Sequence, residues 1–214
     1  MALSPRCYDW CGSPLPVPPG KSTYRIKGEF YRHLGATIAR VDTKSGGALM
    51  KAFTRDGLHQ FQRQPFVSSM LYDNLPLPRM VMCIAEVMGR DVVDLTTKMG
   101  RTAGEAQMKG VYQKFLNEMT VQSFGTELKK LLTFFYDYGT CEVTCGSDGK
   151  SMRVVRSGLP LVVGEWWCLV SIPFLQVPLE SHGAQGIATK WKLDVTEATA
   201  TVPLGTATWD LRWS

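Results

Sequence analysis

Apolar residues in the first two-thirds of the chain recur every three or four positions, the period of an amphipathic helix. From Lys27 onward, Phe30, Tyr31, Leu34, Ile38 and Val41 mark one such face. A short helix is expected around 47–53. The polar stretch 54–64 shows no period, and 67–73 reads as another turn or two of helix. Leu75-Pro-Leu-Pro78 opens a helix, because proline is tolerated in a first turn, and Gly89 stops it after Met88. Asp91 can cap the next helix, which carries Val92, Leu95 and Met99. Val111, Phe115, Leu116 and Met119 mark a further helical face. The strongest pattern spans 123–138, with Phe124, Leu128, Leu131, Leu132, Phe135 and Tyr138 on one side and Gly139 as its stop.

The period then falls to two, the signature of a strand. Segments 140–145 and 151–156 flank Gly146-Ser-Asp-Gly149, whose residues favour a turn, and predict a β-hairpin. Gly158-Leu-Pro160 opens another helix through Trp166, Trp167, Leu169 and Val170, which Pro173 should kink or end. Segments 187–195 and 206–213 make a second hairpin about Pro203-Leu-Gly205. In its last strand Trp209 and Leu211 face the core, while Thr208, Asp210 and Arg212 face water. The pattern predicts an α+β fold whose C-terminal half runs helix, hairpin, helix, hairpin. Residues 24–214 form one domain, preceded by an arm over 1–23. Ser13-Pro-Leu-Pro-Val-Pro-Pro-Gly20 favours an extended polyproline conformation. A linker or free tail is the favoured reading of the arm. A docking arm is the sharper one, since Tyr8, Trp10, Leu15 and Val17 are unusual residues to leave in water.

With 214 residues, 44% hydrophobic and 20% charged, the chain can bury a core without disulfide or metal staples. The net charge of +5 permits an anionic partner. Its densest cations are Lys150, Arg153 and Arg156, and the two arginines fall on opposite faces of a strand. Without a basic stripe or motif, no nucleic-acid partner is expected. The N-terminus lacks an apolar leader, and the most apolar run, Trp166–Leu179, is 14 residues long. That is short of the roughly 20 residues a span needs, so no membrane span is expected. The reading is a cytoplasmic protein with its six cysteines reduced.

Catalytic chemistry finds little purchase. Cys7 and Cys11, and Cys141 and Cys145, have a spacing that zinc permits, but strand residues four apart lie about 13 Å apart. Cys83 and Cys168 read as core. No metal site is expected. His33, His59 and His182 adjoin no serine or cysteine in a motif, no phosphate loop is present, and no catalytic residue is assigned. An enzyme is the least supported class. No cofactor is expected; heme stays open only because one helical histidine suffices as its ligand. The aromatics say more. Phe134, Phe135, Tyr136 and Tyr138 precede the first hairpin and Trp166-Trp167 follow it. They read either as core or as an apolar pocket. In the second case Phe135, Tyr138, Trp166 and Trp167 are the ligand-binding candidates.

Tyr24-Arg-Ile-Lys-Gly-Glu-Phe-Tyr31, the element order after residue 123 and Ala207-Thr-Trp-Asp-Leu-Arg-Trp-Ser214 resemble a family of uncharacterised myxobacterial proteins. That family is distantly related to heme–nitric-oxide-binding domains, 4-vinyl-reductase domains and small subunits of vesicle-tethering complexes. The resemblance implies a helical layer packed on a four-stranded antiparallel sheet with an apolar cavity between them. Relatives hold heme, aromatic effectors or an acyl chain there. The tyrosine–serine–arginine signature of the heme-binding relatives is missing, and Cys141 and Cys145 do not complete the vinyl-reductase zinc site. The expectation is a non-catalytic sensor or regulatory module for a hydrophobic small molecule, signalling to a partner protein. Its pocket would lie between the helix ending at Tyr138, the helix bearing Trp166 and Trp167, and the sheet. Tyr138 or a tryptophan N–H would orient the ligand. The alternative is an interaction or scaffold subunit, as a homodimer or in a complex, with its core filled by side chains.

Overall fold

The computed structural model describes residues 14–109, 120–198 and 200–214. The helical face expected at Val111–Met119, the pair Cys7 and Cys11, and Tyr8 and Trp10 lie outside the described residues. The elements run β1 (Arg25–Lys27), α1 (Gly28–Lys44), α2 (Ala48–Arg55), α3 (His59–Gln62), β2 (Leu71–Asp73), α4 (Pro76–Met88) and α5 (Val92–Lys109). They continue with α6 (Val121–Phe135), β3 (Thr140–Cys145), β4 (Ser151–Pro160), α7 (Leu161–Ser181), β5 (Ala188–Glu197) and β6 (Leu204–Arg212). Among the described residues this is an α+β fold with seven helices and a four-stranded antiparallel sheet ordered β3-β4-β6-β5.

Side chains alternate across the sheet as period two requires. Val154 of β4 pairs with Trp209 of β6, which pairs with Trp191 of β5. Met152, Val154, Ala207, Trp209 and Leu211 are buried toward α7, and Arg212 on the opposite face is exposed. Helix α7 lies between the sheet and the helical layer. It is long and apolar enough to cross a membrane by composition, yet 78% of its most apolar window is buried inside the fold. Apolarity on every side is what a helix between two layers needs.

Four expectations change. Pro173 and Pro178 both sit inside α7, which runs on to Ser181, because packing on both faces outweighs a helix-interior proline's cost of about 3 kcal/mol. The preceding strand continues through Pro160 before α7 begins. Residues 71–73 are a strand paired with β1, not helix. Helix α6 ends at Phe135, because Tyr136 turns extended and bridges Ile26, while the Asp137 carboxylate accepts from the Arg25 N–H at 2.8 Å. The start of the fold also holds its own approach. Leu15 and Val17 pack against the core, and the buried Asp73 carboxylate accepts from the backbone N–H groups of Gly20 at 2.8 Å and Ser22 at 3.2 Å. Between residues 14 and 23 the chain thus makes these contacts with the core.

One contact sets the spacing of the helical layer. Gly100 of α5 faces α7 so closely that a Cβ on it would sit 2.1 Å from the Val170 carbonyl oxygen and 2.8 Å from Pro173 Cγ. One turn on, a Cβ on Gly104 would meet Val177 at 3.2 Å. Residues four apart share a helix face. The two glycines therefore let α5 lie against the α7 backbone, and bulky side chains elsewhere hold α1 away.

Candidate functional site

The gap between α1 and α5, floored by α7, is an apolar cleft of about 350 Å³. Each helix offers one face to it. Phe30, His33, Leu34, Thr37 and Arg40 come from α1, and Leu95, Lys98, Met99, Thr102, Ala103 and Ala106 from α5. The floor is Trp166, Val170 and Phe174, four residues apart along α7. Met88 and Arg90 also line it. Trp166 is buried, and its indole N–H has no partner among the described residues. A cleft of this size with mostly apolar walls and a few polar groups at its mouth has the form of a small-molecule site.

Two other clefts, of about 390 and 460 Å³, share Arg55, Asp56 and Arg79. Their charges serve each other. Asp56 accepts from Arg55 Nε and Arg79 Nε at 2.8 Å each and from the Cys83 thiol at 3.2 Å, and Arg55 clamps Glu86 in a two-bond fork. Burial pushes the Asp56 carboxyl up, but its hydrogen bonds from Arg55, Cys83 and Arg79 and the Arg79 charge bring it net below its usual value. Burial, with the Asp56 carboxylate beside it, pushes the Cys83 thiol up to about 12, so it is no nucleophile.

Of the four sequence candidates, Trp166 lines the cleft and the other three do not. Phe135 stands behind the cleft wall, its ring edge-on to Phe30 at 5.4 Å. Trp167 and Tyr138 belong to a separate cluster on the sheet side of α7. There the buried Arg156 guanidinium lies 4.5 Å from the Tyr136 ring, 5.3 Å from Tyr138 and 4.9 Å from Trp167. It donates to the Tyr138 carbonyl at 2.9 Å. Trp167 packs edge-on to Trp209 at 4.9 Å, and Trp209 Nε1 donates to the Cys168 carbonyl at 3.1 Å. Burial raises the Tyr136 and Tyr138 hydroxyls above the usual phenol range despite the neighbouring Arg156 charge, so both stay protonated. The space expected to hold a ligand, between α6, α7 and the sheet, is thus occupied by Arg156 and its rings. The open space is on the other side of α7.

Periodicity treats Phe30, Leu34 and Leu95 as ordinary face residues and gives Arg40, Arg90 and Lys98 no weight. The usable signal is Gly100-x-x-x-Gly104, which marks where two helices touch and hence where a third must stand off.

The three histidines of the chain are all described. His33 lies at the cleft mouth with 62% of its side chain exposed and Nε2 3.6 Å from Glu29. His182 sits at the end of α7 with Nδ1 2.7 Å from the Pro178 carbonyl, and His59 is in α3. Among the described residues no cysteine or tyrosine lines the cleft. Among the described residues no three metal-ligating side chains converge. A heme needs a buried axial imidazole, thiolate or phenolate, and these residues do not fit one.

No family model and no curated protein matches the chain. Solved structures do. An H-NOX structure determined to probe heme distortion superposes with a TM-score of 0.60 at 9% identity, covering 88% of this chain and 95% of that one. An oxygen-binding H-NOX domain related to soluble guanylate cyclases gives 0.57 at 7% identity over 86% and 94%. An unliganded Fe(II) H-NOX protein from K. algicida gives 0.58 at 12% over 88% and 97%. The chain has the H-NOX fold.

Proposed function

We propose that the protein is a non-catalytic, ligand-binding sensor or regulatory module that takes a hydrophobic small molecule in the cleft between α1, α5 and α7. The observation that carries this reading is the roughly 350 Å³ cleft floored by Trp166, Val170 and Phe174. Burial of apolar ligand surface there contributes about 25 cal/mol per Å². The fold shared with ligand-sensing H-NOX domains supports the reading, as does the resemblance to the myxobacterial family. The heme of the solved neighbours is not part of it, because among the described residues the cleft offers only the exposed His33 as an axial candidate. Occupancy would wedge α1 from α7 and pass a signal to a partner protein.

Native mass spectrometry of freshly purified protein tests this. The expected result is an added small-molecule mass that organic solvent removes and that the cleft-filling variant Ala103→Trp lacks. An empty wild-type protein that takes up no apolar molecule on titration would end the reading.

A second reading, an interaction subunit, rests on Val67, Met70 and Phe134, which are 48%, 57% and 50% exposed. Lys27 joins part of this surface, its ammonium 4.9 Å from the Phe134 ring and donating to the Ser69 carbonyl. Sedimentation analysis separates the two readings: a dimer that Phe134→Glu dissociates favours the scaffold.

A further inference from the structure

The charges at the cleft are lopsided. Arg40, Arg90 and Lys98 line it, against the single carboxylate of Glu29. Glu29 and Arg40 are 11 residues apart on α1, so they stand about 16 Å apart along its axis. Lys98 already meets Asp94 at 2.8 Å in an exposed pair of the kind that contributes little. Arg40 and Arg90 have no ion pair among the described residues. Neither supports the fold through a side-chain hydrogen bond there. Several other arginines do pair: Arg55 forks Glu86, Arg101 forks Glu180 and Arg153 forks Asp210. Arg40 and Arg90, which like Arg25, Arg63 and Arg212 have no side-chain partner among the described residues, both line the cleft floored by Trp166 and Phe174, and Arg90 also borders the cleft of Asp56 and Glu86.

We infer that the ligand is a single-chain amphiphile with an anionic headgroup of the carboxylate class. This rests on the cleft being the binding site, as proposed above, and adds the chemistry of what enters it. The chain lies along Trp166, Val170 and Phe174. The head stays at the mouth, where Arg40 and Arg90 offer planar donor pairs matched to a carboxylate, and Lys98 adds a point charge. A neutral chain of the same length loses the charge-assisted hydrogen bonds, and a cationic one meets like charge.

The test uses the full chain and three probes below their micelle concentrations: dodecanoate, dodecan-1-ol and dodecyltrimethylammonium. Binding is read by calorimetry and by tryptophan emission. Dodecanoate should bind at least about tenfold tighter than the alcohol, with the ammonium weakest. The margin should shrink as salt is raised from 20 mM to about 500 mM. Arg40→Glu/Arg90→Glu, both on exposed positions, should remove the preference for dodecanoate over the alcohol. Equal binding of acid and alcohol, or a preference for the cation, overturns this inference and leaves the apolar cleft standing. Absence of binding by all three overturns it as well, and native mass spectrometry then decides whether the cleft binds anything. Dodecyl phosphate as a fourth probe separates headgroup classes: binding tighter than dodecanoate overturns the carboxylate assignment.

Discussion

Replacing Gly100 with alanine tests the packing that creates the cleft. The new Cβ would lie 2.1 Å from the Val170 carbonyl oxygen, 2.8 Å from Pro173 Cγ and 3.0 Å from the Val170 carbonyl carbon. Ordinary contact is 3.5–4.0 Å, so α5 must retreat from α7 by roughly 1 Å or more. Two of the three opposing atoms are backbone and cannot swing aside. Overpacking of this kind costs about 1–3 kcal/mol, and exchanging glycine for alanine within a helix returns up to about 1. The net expectation is a loss of about 1–2 kcal/mol, or roughly 2–8 °C in Tm for a chain of this size. Gly35 in α1 supplies the control, since a Cβ there meets nothing within 4 Å. Gly35→Ala should raise stability by about 0.5–1 kcal/mol through helix propensity alone. Gly104→Ala, whose Cβ would meet Val177 at 3.2 Å and the Phe174 Cα at 3.4 Å, should fall between them. Urea titrations of the three variants give the order directly. Gly100→Ala as stable as Gly35→Ala would refute the claim that backbone contact between α5 and α7 sets the helical layer.

Removing the Arg156 guanidinium by Arg156→Ala should cost about 3 kcal/mol, because three ring contacts and the bond to the Tyr138 carbonyl go with it. Chemical denaturation measures the loss, and a change under 1 kcal/mol would count against a structural role. Asp56 predicts an acid limb. Its folded carboxyl titrates below the unfolded value, so its stabilisation is present above about pH 4 and disappears as pH falls through the folded pKa. Asp56→Asn should therefore be less stable than the wild type at pH 7, with the gap narrowing toward pH 2–3 in urea midpoints. Protein expressed with added heme precursor should show no Soret band after purification, and a stable Soret absorbance would mean that an axial ligand does reach the cleft.

The helices and strands were legible where local chemistry decides. Gly89, with φ of 59°, ends α4 where a left-handed residue was expected, and Asp91 caps α5 by accepting from the Asp94 N–H at 2.8 Å. The turn Gly146–Gly149 joins β3 to β4 as its composition indicates. What failed depends on distant partners. Three residues at Leu71–Asp73 become a strand because β1 lies beside them, and no periodicity can show in so short a run. Pro173 stays helical because Gly100 makes room for its ring. The site follows the same division. Trp166 and Trp167 are both expected at the pocket from the sequence, yet neighbours on a helix face different ways, and only Trp166 lines the cleft. Which of the two faced open space depended on the distance between α1 and α5, and that distance is written in no single segment.

The sheet order has a consequence for how the protein is made. β6, the last of the four strands in the sequence, is not at an edge: it lies between β4 and β5. Until it emerges, the β3–β4 hairpin and β5 have nothing to join them, and the sheet-facing side of α7 lacks Ala207, Trp209 and Leu211. During synthesis the most apolar of the described helices is therefore uncovered while its cover is still being translated. A stop codon before residue 204 is therefore expected to leave a product whose sheet has no joining strand, rather than a trimmed domain.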